Sequence, residues 1–396
     1  MMAGIRAGER GRKVLIVEKN NLFGKKLLIT GNGRCNLTNI KPVEEFIAKF
    51  SKTGNFLRNS FARYFSDDLI SFFEKNGLEF TEEEDGCVFP SVGNAGDVLR
   101  ILEKTLNQYG VKKIFGHSVK QILIEDNVLR GVELDSSDVY LSSRILISTG
   151  GLSYPQTGSS GDGFIFAKSL GHSVIPARPA LVPIEINNSF VKSLQGISLQ
   201  NIGLAVFSSG KKVSDSKGDL VFTHYGISGP VVFSVSASVC DELEKGREVR
   251  VSVNIFPEKT EEEVLSKYLS EYKSASNKTV KNIISKFMPS SVAAVFLKEY
   301  AVSPDKIANQ INAQERGKII SALRDFRMDV KSVRPVSEAI ITRGGVSIKE
   351  INPKTMESKV VRGLFFAGEV IDVDAMTGGY NLQAAFSTGW VAGNNL

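Results

Sequence analysis

Cysteine and histidine are scarce in this chain, which argues against two kinds of site. The 396 residues include three cysteines and three histidines. Cys35, Cys87 and Cys240 form no C-x-x-C pair and are odd in number, so neither a disulfide framework nor a zinc site is expected. No H-E-x-x-H spacing occurs either, and the sequence therefore predicts no catalytic metal.

Long apolar runs are also missing. No stretch reaches the roughly 20 apolar residues of a membrane-spanning helix, and the opening MMAGIRAGERGRK has too much glycine and charge for a signal peptide. The 42% hydrophobic and 23% charged residues are close to globular averages, and the length suits two or three domains. We therefore predict a soluble, cytoplasmic protein with no membrane partner, and the sequence leaves its oligomeric state open.

The most informative segment is RGLFFAGEVIDVDAMTGGYNLQAAFSTGWVAG, from Arg362 to Gly393. Its GLFFAG is typical of a short strand buried on both faces of a parallel sheet, closed by Gly368. Glu369 and Asp372 follow the carboxyl end of this strand, which is where open α/β sheets bind ligands. The segment therefore predicts a ligand site near these acids.

A glycine pair follows the acids at the predicted start of a helix. Thr377 is expected to cap this helix, and Gly378 and Gly379 would let a ligand approach the backbone closely. The N–H groups of a first helical turn attract electron-rich groups. This arrangement predicts a dinucleotide site.

The first residues predict part of a Rossmann unit. VLIVEK, from Val14 to Lys19, is typical of a second Rossmann strand whose final acid, Glu18, binds the ribose hydroxyls. The residues before it predict a helix that stops at Gly11. A complete unit also needs a first strand and a G-x-G-x-x-G turn, roughly 10 to 15 more residues. We therefore expect the natural protein to begin upstream of Met1.

Seven blocks together resemble the BaiN-like family of FAD-dependent oxidoreductases, which includes NAD(P)/FAD-dependent oxidoreductases and aminoacetone oxidases. The blocks are EKN from Glu18, GKKLLITGNGRCNLTN from Gly24, VFPS from Val88, STGGLSYPQTGSSGDG from Ser148, LVFTHYGISGP from Leu220, ITRGGVSIKEINPKTMESK from Ile341 and AGEVIDVDAMTGGYNLQAAFSTG from Ala367. One glycine motif alone is a weak signal, whereas the ordered set is specific. The resemblance implies an α/β fold: a Rossmann-like, two-dinucleotide-type FAD domain with an inserted β-barrel and a helical subdomain.

The order of predicted elements indicates how these domains divide the chain. The FAD domain takes residues 1–174 and 334–396. The proline-rich segment from Ile175 predicts a crossing into a β-barrel insert at 175–257 and about 328–333. Helix-start signals near Thr260 and helical periodicity predict a helical subdomain at 258–327. Residues 46–109 are predicted to be mainly helical, and a hairpin is predicted to turn near Asn127.

The loop GNGRCNLTN, residues 31–39, is a predicted cofactor contact. Gly31 and Gly33 would let backbone N–H groups form an anion-binding concavity, to which Arg34 and Asn36 add donors. A surface turn rich in asparagine is the alternative. The resemblance places this loop beside the flavin, with Cys35 near the ring as a packing thiol. Lys25 and Lys26, just upstream, could reach phosphates.

A second glycine-rich block, from Ser148 to Gly163, follows a predicted strand. Gly150 and Gly151 suit the adenosine side of FAD, and residues 158–163 precede a helix that could bind a second anion, the weaker hypothesis of an NAD(P)H electron-donor site. Related flavoproteins suggest that the backbone of Val119 touches adenine. The full set of predicted FAD contacts is Glu18, Lys19, Lys25, Lys26, Gly31, Gly33, Arg34, Cys35, Asn36, Val119, Thr149, Gly150, Gly151, Gly368, Glu369, Asp372, Gly378, Gly379, Tyr380 and Asn381.

Catalytic residues are harder to predict. His224 and Tyr225 of FTHYGISGP occupy a glycine-rich turn, where either could donate a proton to a substrate, although a purely structural role for His224 is equally open. The resemblance implies hydride transfer between FAD and a small organic substrate held between the FAD and barrel domains. Reduction of an enone C=C bond and oxidation of an amine both fit.

Two other functions stay open, a tRNA-modifying flavoprotein and a non-enzymatic flavin-binding protein. The net charge of +6 suits an RNA partner. However, the lysines are scattered over apparent solvent faces, as in KKVSDSKGD from Lys211, rather than gathered with aromatic residues. Nucleic acid is therefore not the expected partner.

Overall fold

The computed structural model describes residues 1–126 and 128–396, and within these the chain divides into two compact units. Unit 1 contains residues 1–179 and 339–396, and unit 2 contains residues 180–338. Residues 175–179 fall in unit 1 because the strand Val174–Ala180 pairs with Ile341–Val346. The residues predicted as a separate helical subdomain, 258–327, lie within unit 2.

Unit 1 contains two parallel strand pairs, the arrangement expected of a Rossmann-like fold. Leu15–Glu18 pairs with Lys112–Phe115, and Leu364–Phe366 pairs with Ile145–Ile147. All three residues of Leu364–Phe366 are buried, as the GLFFAG pattern predicts. The carboxyl ends of parallel strands lie at the same edge of their sheet. Glu18 lies at this edge of the first pair, and the segment after Phe366 begins at this edge of the second pair.

The first helix of unit 1, Met2–Glu9, packs against the C-terminal helix, Tyr380–Asn395. A Cβ at Gly393 would overlap the carbonyl oxygen of Ala3, so the two backbones approach too closely for any larger residue. The Arg6 guanidinium lies 4.6 Å from the Trp390 ring centroid and donates to Asn394 Oδ1. These contacts fix the direction of the C-terminal helix.

The region 46–109 is less helical than its periodicity predicts. It contains the helices Ser66–Glu74 and Ala95–Gln108, but the strand Cys87–Pro90 also pairs antiparallel with Phe80–Glu82 on one side and with Thr38–Asn39 on the other. This pairing joins residues about 48 positions apart, and a pattern within one short segment cannot predict it. The predicted turn at Asn127 lies outside the described residues, while the flanking strands Val119–Glu125 and Val128–Leu134 do pair antiparallel.

The helices of unit 1 are Met2–Glu9, Lys25–Ile29, Val43–Ile47, Arg58–Phe61, Ser66–Glu74, Ala95–Gln108, Asp162–Ser169 and Tyr380–Asn395. Its strands are Leu15–Glu18, Thr38–Asn39, Phe80–Glu82, Cys87–Pro90, Lys112–Phe115, Val119–Glu125, Val128–Leu134, Val139–Leu141, Ile145–Ile147, Val174–Ala180, Ile341–Val346 and Leu364–Phe366.

Unit 2 is built around a closed barrel. In the order of pairing, its strands are Ile184–Ile186, Gly226–Ser228, Lys211–Phe222, Ser198–Ser208, Val249–Asn254 and Phe326–Val333. Alternate residues of these strands point inward, so Leu204, Val206, Val251 and Val253 are buried together in the barrel core.

The helices of unit 2 are Pro230–Glu244, Glu261–Ala275, Val280–Ile284, Ser290–Glu299 and Ala313–Arg324. The predicted helix start at Thr260 is present, because Thr260 Oγ1 accepts from Glu263 N and Glu263 Oε2 accepts from Thr260 N. Across residues 1–126 and 128–396, no helix is long and apolar enough to cross a membrane.

Protonation of His172 is expected to lower the stability of the fold below neutral pH. His172 is buried, its Nε2 lies 2.7 Å from Ser358 Oγ, and burial lowers its pKa. A group with a lowered pKa prefers its neutral form in the folded state. The unfolded chain therefore takes up more protons, and stability falls as the pH drops below the ordinary histidine pKa of about 6.5.

His172→Gln should flatten the decline in the urea unfolding midpoint between about pH 7.5 and 5, because it removes this proton uptake. His117→Gln is the matched control, since His117 is exposed and paired with Asp135 at the surface. An equally steep decline in the His172→Gln protein would show that another group causes the acid sensitivity.

Candidate functional site

The predicted ribose-binding acid is held at the end of its strand. Glu18 Oε1 accepts from the backbone N–H of Asn20 at 2.9 Å and from Asn20 Nδ2 at 2.8 Å. Both bonds fall on the same oxygen, so Oε2 is the atom that would accept from a ligand hydroxyl. Lys25 Nζ donates to Asn20 Oδ1 at 2.8 Å, which extends this small network.

The turn after Glu18 contacts the second glycine-rich block. Lys19 Nζ lies 2.7 Å from Asp162 Oδ2 and also donates to Ser160 Oγ, while Asn20 Nδ2 donates to the carbonyl of Thr157 at 3.0 Å. Residues 157–162 therefore lie beside the predicted ribose site. The charge of Lys19 is offset by Asp162, and an NAD(P)H site at this block stays a prediction.

Lys26 and Glu369 form an ion pair that joins segments 343 residues apart. Lys26 Nζ lies 2.7 Å from Glu369 Oε2, and the backbone N–H of Thr342 donates to Glu369 Oε1 at 2.7 Å. The two side chains are only 24% and 20% exposed, so water screens this pair less than a surface pair. Glu369 therefore connects the strand ending before it with residues of two other segments.

Residues 31–39, the glycine loop, are in direct contact with the start of the C-terminal helix. Asn39 Nδ2 donates to the carbonyl of Gly378 at 3.2 Å, and Thr38 Oγ1 donates to Gln383 Oε1 at 2.6 Å. A Cβ at Gly379 would overlap the carbonyl of Thr38, so only glycine fits there without a shift. The structure thus brings together the two motifs that the sequence assigns to the flavin.

Within the glycine loop, Asn36 Oδ1 is a buried oxygen with no hydrogen-bond partner among the described residues. Such an atom normally has a partner, and a bound cofactor can supply one. Arg34 instead pairs with Glu83 at 2.5 Å and covers the Phe89 ring at 4.2 Å. Cys35 is fully buried, and burial raises the pKa of its thiol to about 12, so the thiol stays protonated at neutral pH.

The C-terminal helix begins at Tyr380 with Gly379 at the N-cap, and no side chain caps it. The prediction of a Thr377 cap is therefore wrong, because Gly378 and Gly379 both adopt positive φ, of 123° and 88°, and carry the chain into the helix. The uncapped N–H groups of this first turn are the kind that a ligand can satisfy.

Two of the predicted contacts after the glycine pair instead bond to protein groups. Tyr380 is buried with its ring 4.7 Å from that of Phe46, and burial raises the pKa of its phenol to about 12. The Asn381 amide accepts from Ala375 N and donates to Ala375 O, both at 3.0 Å. Their predicted cofactor roles are untested, but these contacts brace the turn before the helix.

Burial raises the pKa of Asp372, and the nearby charge of Asp374 raises it further, while Arg343 and the backbone of Gly344 oppose the shift. Asp374 itself accepts from Ser51 Oγ at 2.7 Å. The two acids therefore sit close enough to repel each other.

Two threonines that sequence reasoning missed organise the glycine backbones of unit 1. Thr342 Oγ1 accepts from Leu152 N at 2.8 Å and from Ser153 N at 3.1 Å, and a Cβ at Gly151 would overlap it. Thr388 Oγ1 accepts from Gly368 N at 3.0 Å. Threonine in a strand or a helix carries no recognisable motif, so nothing in the sequence signals either role.

The remaining predicted contacts of unit 1 lie in ordinary backbone environments. A Cβ at Gly150 would lie 2.8 Å from Ser159 Oγ, and Gly163 leaves space for the Thr149 hydroxyl. Val119 pairs with Leu134 in an antiparallel sheet. Gly31 and Gly33 both adopt positive φ within the glycine loop.

The predicted proton donors lie in unit 2, in the turn between two barrel strands. His224 is exposed, and its ring centroid is 4.8 Å from that of Tyr225. Tyr225 is half-buried, with the Arg334 guanidinium 4.6 Å from its ring centroid. Burial raises the pKa of the Tyr225 phenol, so the phenol stays protonated near neutral pH.

Comparison with known proteins decides which family contains this arrangement. The family described as HI0933-like protein Rossmann domain matches residues 1–395. The chain belongs to this family. A ribosomal RNA dihydrouridine synthase from Escherichia coli is 30% identical to this HI0933-like protein over 400 residues, covering 100% of the chain and 95% of the relative.

A second relative carries a different name. A 3-dehydro-bile acid delta(4,6)-reductase from Clostridium scindens is 28% identical over 383 residues, covering 96% of the HI0933-like protein and 92% of the relative. The motif resemblance is thereby confirmed, and with it the prediction of an FAD-dependent oxidoreductase.

A solved structure shows the same fold. The 3-ketosteroid delta1-dehydrogenase of Sterolibacterium denitrificans, in complex with 1,4-androstadiene-3,17-dione, aligns with a TM-score of 0.52 at 12% identity. The alignment covers 99% of the HI0933-like protein and 96% of that chain. The predicted α/β class with a Rossmann-like domain is confirmed.

The residues present in unit 1 fit an FAD cofactor. A dinucleotide needs hydrogen-bond donors, an acceptor and an acid for its ribose hydroxyls. The uncapped helix start at Gly379 offers N–H donors, and the unpartnered Oδ1 of Asn36 offers an acceptor. The carboxylate of Glu18 is the acid. FAD would be held by these groups, with Lys26 and Glu369 bracing the segments that carry them.

Proposed function

We propose that this HI0933-like protein is an FAD-dependent reductase that saturates a C=C bond conjugated with a carbonyl group in a small organic substrate. The observation that carries the proposal is the contact of the glycine loop with the start of the C-terminal helix, which joins the two predicted flavin motifs. Bound FAD supplies the hydride for such a reduction.

The names of the relatives support the same reaction class. In a 3-dehydro-bile acid with delta(4,6) unsaturation, the double bonds are conjugated with a ketone. In uridine, the bond that is saturated in dihydrouridine is conjugated with a ring carbonyl. Both relatives therefore act on a polarised C=C bond, and amine oxidation has no such support.

The protein groups would have separate tasks in this reaction. Residues of unit 1 would bind and orient the cofactor, as described above. In unit 2, the Tyr225 phenol or the His224 imidazole would hold the proton that the α-carbon of the substrate receives. We further propose NAD(P)H as the electron donor and the cytoplasm as the compartment, the latter because the three cysteines are free thiols.

Uridine within ribosomal RNA is the second candidate substrate. Two relatives, from Escherichia coli and Haemophilus influenzae, bear the name ribosomal RNA dihydrouridine synthase at 30% identity, and the net charge of +6 suits a polyanion. Nucleic acid thus returns as a candidate partner, although the scattered lysines argue for a small substrate.

A half-reaction assay tests the proposal. We expect the purified protein to be yellow, to release FAD rather than FMN, and to be reduced by NADH or NADPH. Under anaerobic conditions the reduced protein should be reoxidised by 2-cyclohexen-1-one or a steroid 4-en-3-one, with the saturated ketone as product. Reoxidation only by unmodified ribosomal RNA would favour the second candidate. Reduction of the flavin by a primary amine, followed by reoxidation with oxygen alone, would contradict both.

A further inference from the structure

The helix Glu261–Ala275 in unit 2 has one packed side and one open side. Val264 and Tyr268 on the packed side are buried in the core of the unit, where the helix Ala313–Arg324 packs against this helix. On the open side, an open groove is lined by residues of this helix. One of them, Leu265, is 36% exposed, so apolar surface is available in the groove.

Four residues form a stripe along the open side. Their spacing alternates between four and three positions, which is the spacing of the contact residues in a coiled coil. The stripe consists of Glu262, Ser266, Leu269 and Lys273. Leu265 and Ser270 flank it, one on each side, because they are one position away from stripe residues on opposite sides of the helix. The stripe therefore has the geometry of one half of a helix pair.

This stripe is complementary to itself in the antiparallel direction. Its midpoint lies between Ser266 and Leu269, and every residue on one side of the midpoint has a counterpart equally distant on the other side. When two stripes pair antiparallel about this midpoint, Glu262 of one copy faces Lys273 of the other. Leu269 of each copy then faces the small Ser266 of the other. A parallel pair would instead bring like charges together.

Both charged residues of the stripe are available for such pairs. They are exposed, and neither Glu262 nor Lys273 has an ion-pair partner within residues 1–126 and 128–396. The adjacent acids are already engaged, Glu261 with Arg324 and Glu263 with the N-cap of its own helix. The two unpaired charges are therefore those that an antiparallel second copy would neutralise.

We propose that the stripe is a dimerisation surface, on which the helices Glu261–Ala275 of two copies of this chain pair antiparallel. The contact is isologous, with a two-fold axis near the midpoint of the stripe. Leu269 of each copy inserts above Ser266 of the other, as a knob enters a hole. The proposal concerns unit 2 alone and is independent of the reaction proposed for the cofactor.

This dimer should be weak. Only about four turns of each helix meet, so the total area buried should lie below about 1,200 Å², which is the size of transient complexes. Exposed ion pairs contribute little free energy, but they select the partner and the direction of pairing. Because salt screens these pairs, association should weaken as NaCl rises from about 0.05 M to 0.5 M.

Charge reversal tests the pairing in the whole chain as purified. Sedimentation velocity of the parent should show a sedimentation coefficient that rises between about 5 and 500 μM protein, as expected for a weak dimer. Glu262→Lys or Lys273→Glu alone should weaken the dimer by roughly 5- to 50-fold, because each change places two like-charged pairs in the contact. Lys298→Glu is the matched control, since Lys298 is exposed on another helix of unit 2 and its reversal should leave association unchanged.

Combining the two reversals should restore association. In an equimolar mixture of the Glu262→Lys and Lys273→Glu proteins, the heterodimer has opposite charges at both ends of the stripe. The double variant Glu262→Lys/Lys273→Glu should likewise associate with itself as strongly as the parent. Restored association would also show that the single variants are folded, and equal thermal unfolding midpoints check this separately.

Several results would overturn the proposal. A parent that stays monomeric throughout the concentration range would show that a second copy does not occupy this face, which would then be open to a different protein. A parent dimer that neither single reversal weakens would be formed by another surface. A mixture that associates no better than the single variants would contradict the pairing of Glu262 with Lys273. A mixture that associates more strongly than both the parent and the double variant would indicate parallel helices.

Discussion

Replacing Gly379 with valine is expected to lower the affinity of the protein for FAD, so that the purified protein contains little of it. The branched side chain would force its Cβ into the carbonyl of Thr38 and would occupy a φ of 88° that β-branched residues avoid. The glycine loop and the helix start would have to move apart. Overpacking of this kind costs about 1 to 3 kcal/mol, which corresponds to an approximately 5- to 150-fold loss of affinity if it falls on the bound state.

Gly77→Val is the control that distinguishes the effect of this clash from the effect of backbone strain. Gly77 also lies in unit 1 and has nearly the same φ, 86°, but a Cβ there meets nothing within 4 Å. Both variants therefore carry the strain of positive φ, and only Gly379→Val disrupts the contact with Thr38. FAD content and thermal unfolding of the two purified proteins provide the comparison. If the two variants contain equal amounts of FAD, the start of the C-terminal helix is not part of the cofactor site.

Removing the carboxylate of Glu369 is expected to have the second large effect. In Glu369→Ala, both Lys26 Nζ and the N–H of Thr342 lose their acceptor. A charge-assisted hydrogen bond in a partly buried position contributes about 1.5 to 3 kcal/mol. Because these bonds join the segments that would hold FAD, the dissociation constant for FAD should rise by roughly 10- to 100-fold.

Glu350→Ala is the control for this change. Glu350 also accepts from a backbone N–H, that of Ser173 at 2.8 Å, but it lies outside the predicted cofactor contacts. Glu369→Gln should fall between the parent and Glu369→Ala, since its amide oxygen can still accept from Thr342 while the charge beside Lys26 is lost. Titration of the apoprotein with FAD measures all three variants. If Glu369→Ala binds FAD as tightly as Glu350→Ala does, Glu369 has no part in the site.

Local sequence patterns predicted several elements of the fold correctly. The strand at Leu364–Phe366, the first helix with its stop near Gly11 and the capped helix start at Thr260 all follow from short-range rules of burial, backbone conformation and capping. The exception at Thr377 is instructive. A threonine before a helix resembles a cap, but the two following glycines determine where the helix begins.

The pairings between distant segments could not be predicted in the same way. The antiparallel sheet of Thr38–Asn39 and Cys87–Pro90 and the contacts made by Thr342 depend on residues far apart in the chain. Neither leaves a periodic pattern or a motif. Arg334 shows the same limit, because one arginine before a proline indicates nothing until the fold places Glu185 and Tyr225 beside it.

The sequence by itself determined the family and the α/β class and predicted the motifs that would hold FAD, because these depend on ordered residue types and on local backbone rules. Only the tertiary structure decided which motifs meet and which side chains already have partners. Lys26 is neutralised by Glu369, Asn381 braces its own turn, and Gly379 is wedged against Thr38. Hydrogen bonding and steric overlap act over a few ångströms in space, and distance along the sequence does not report that separation.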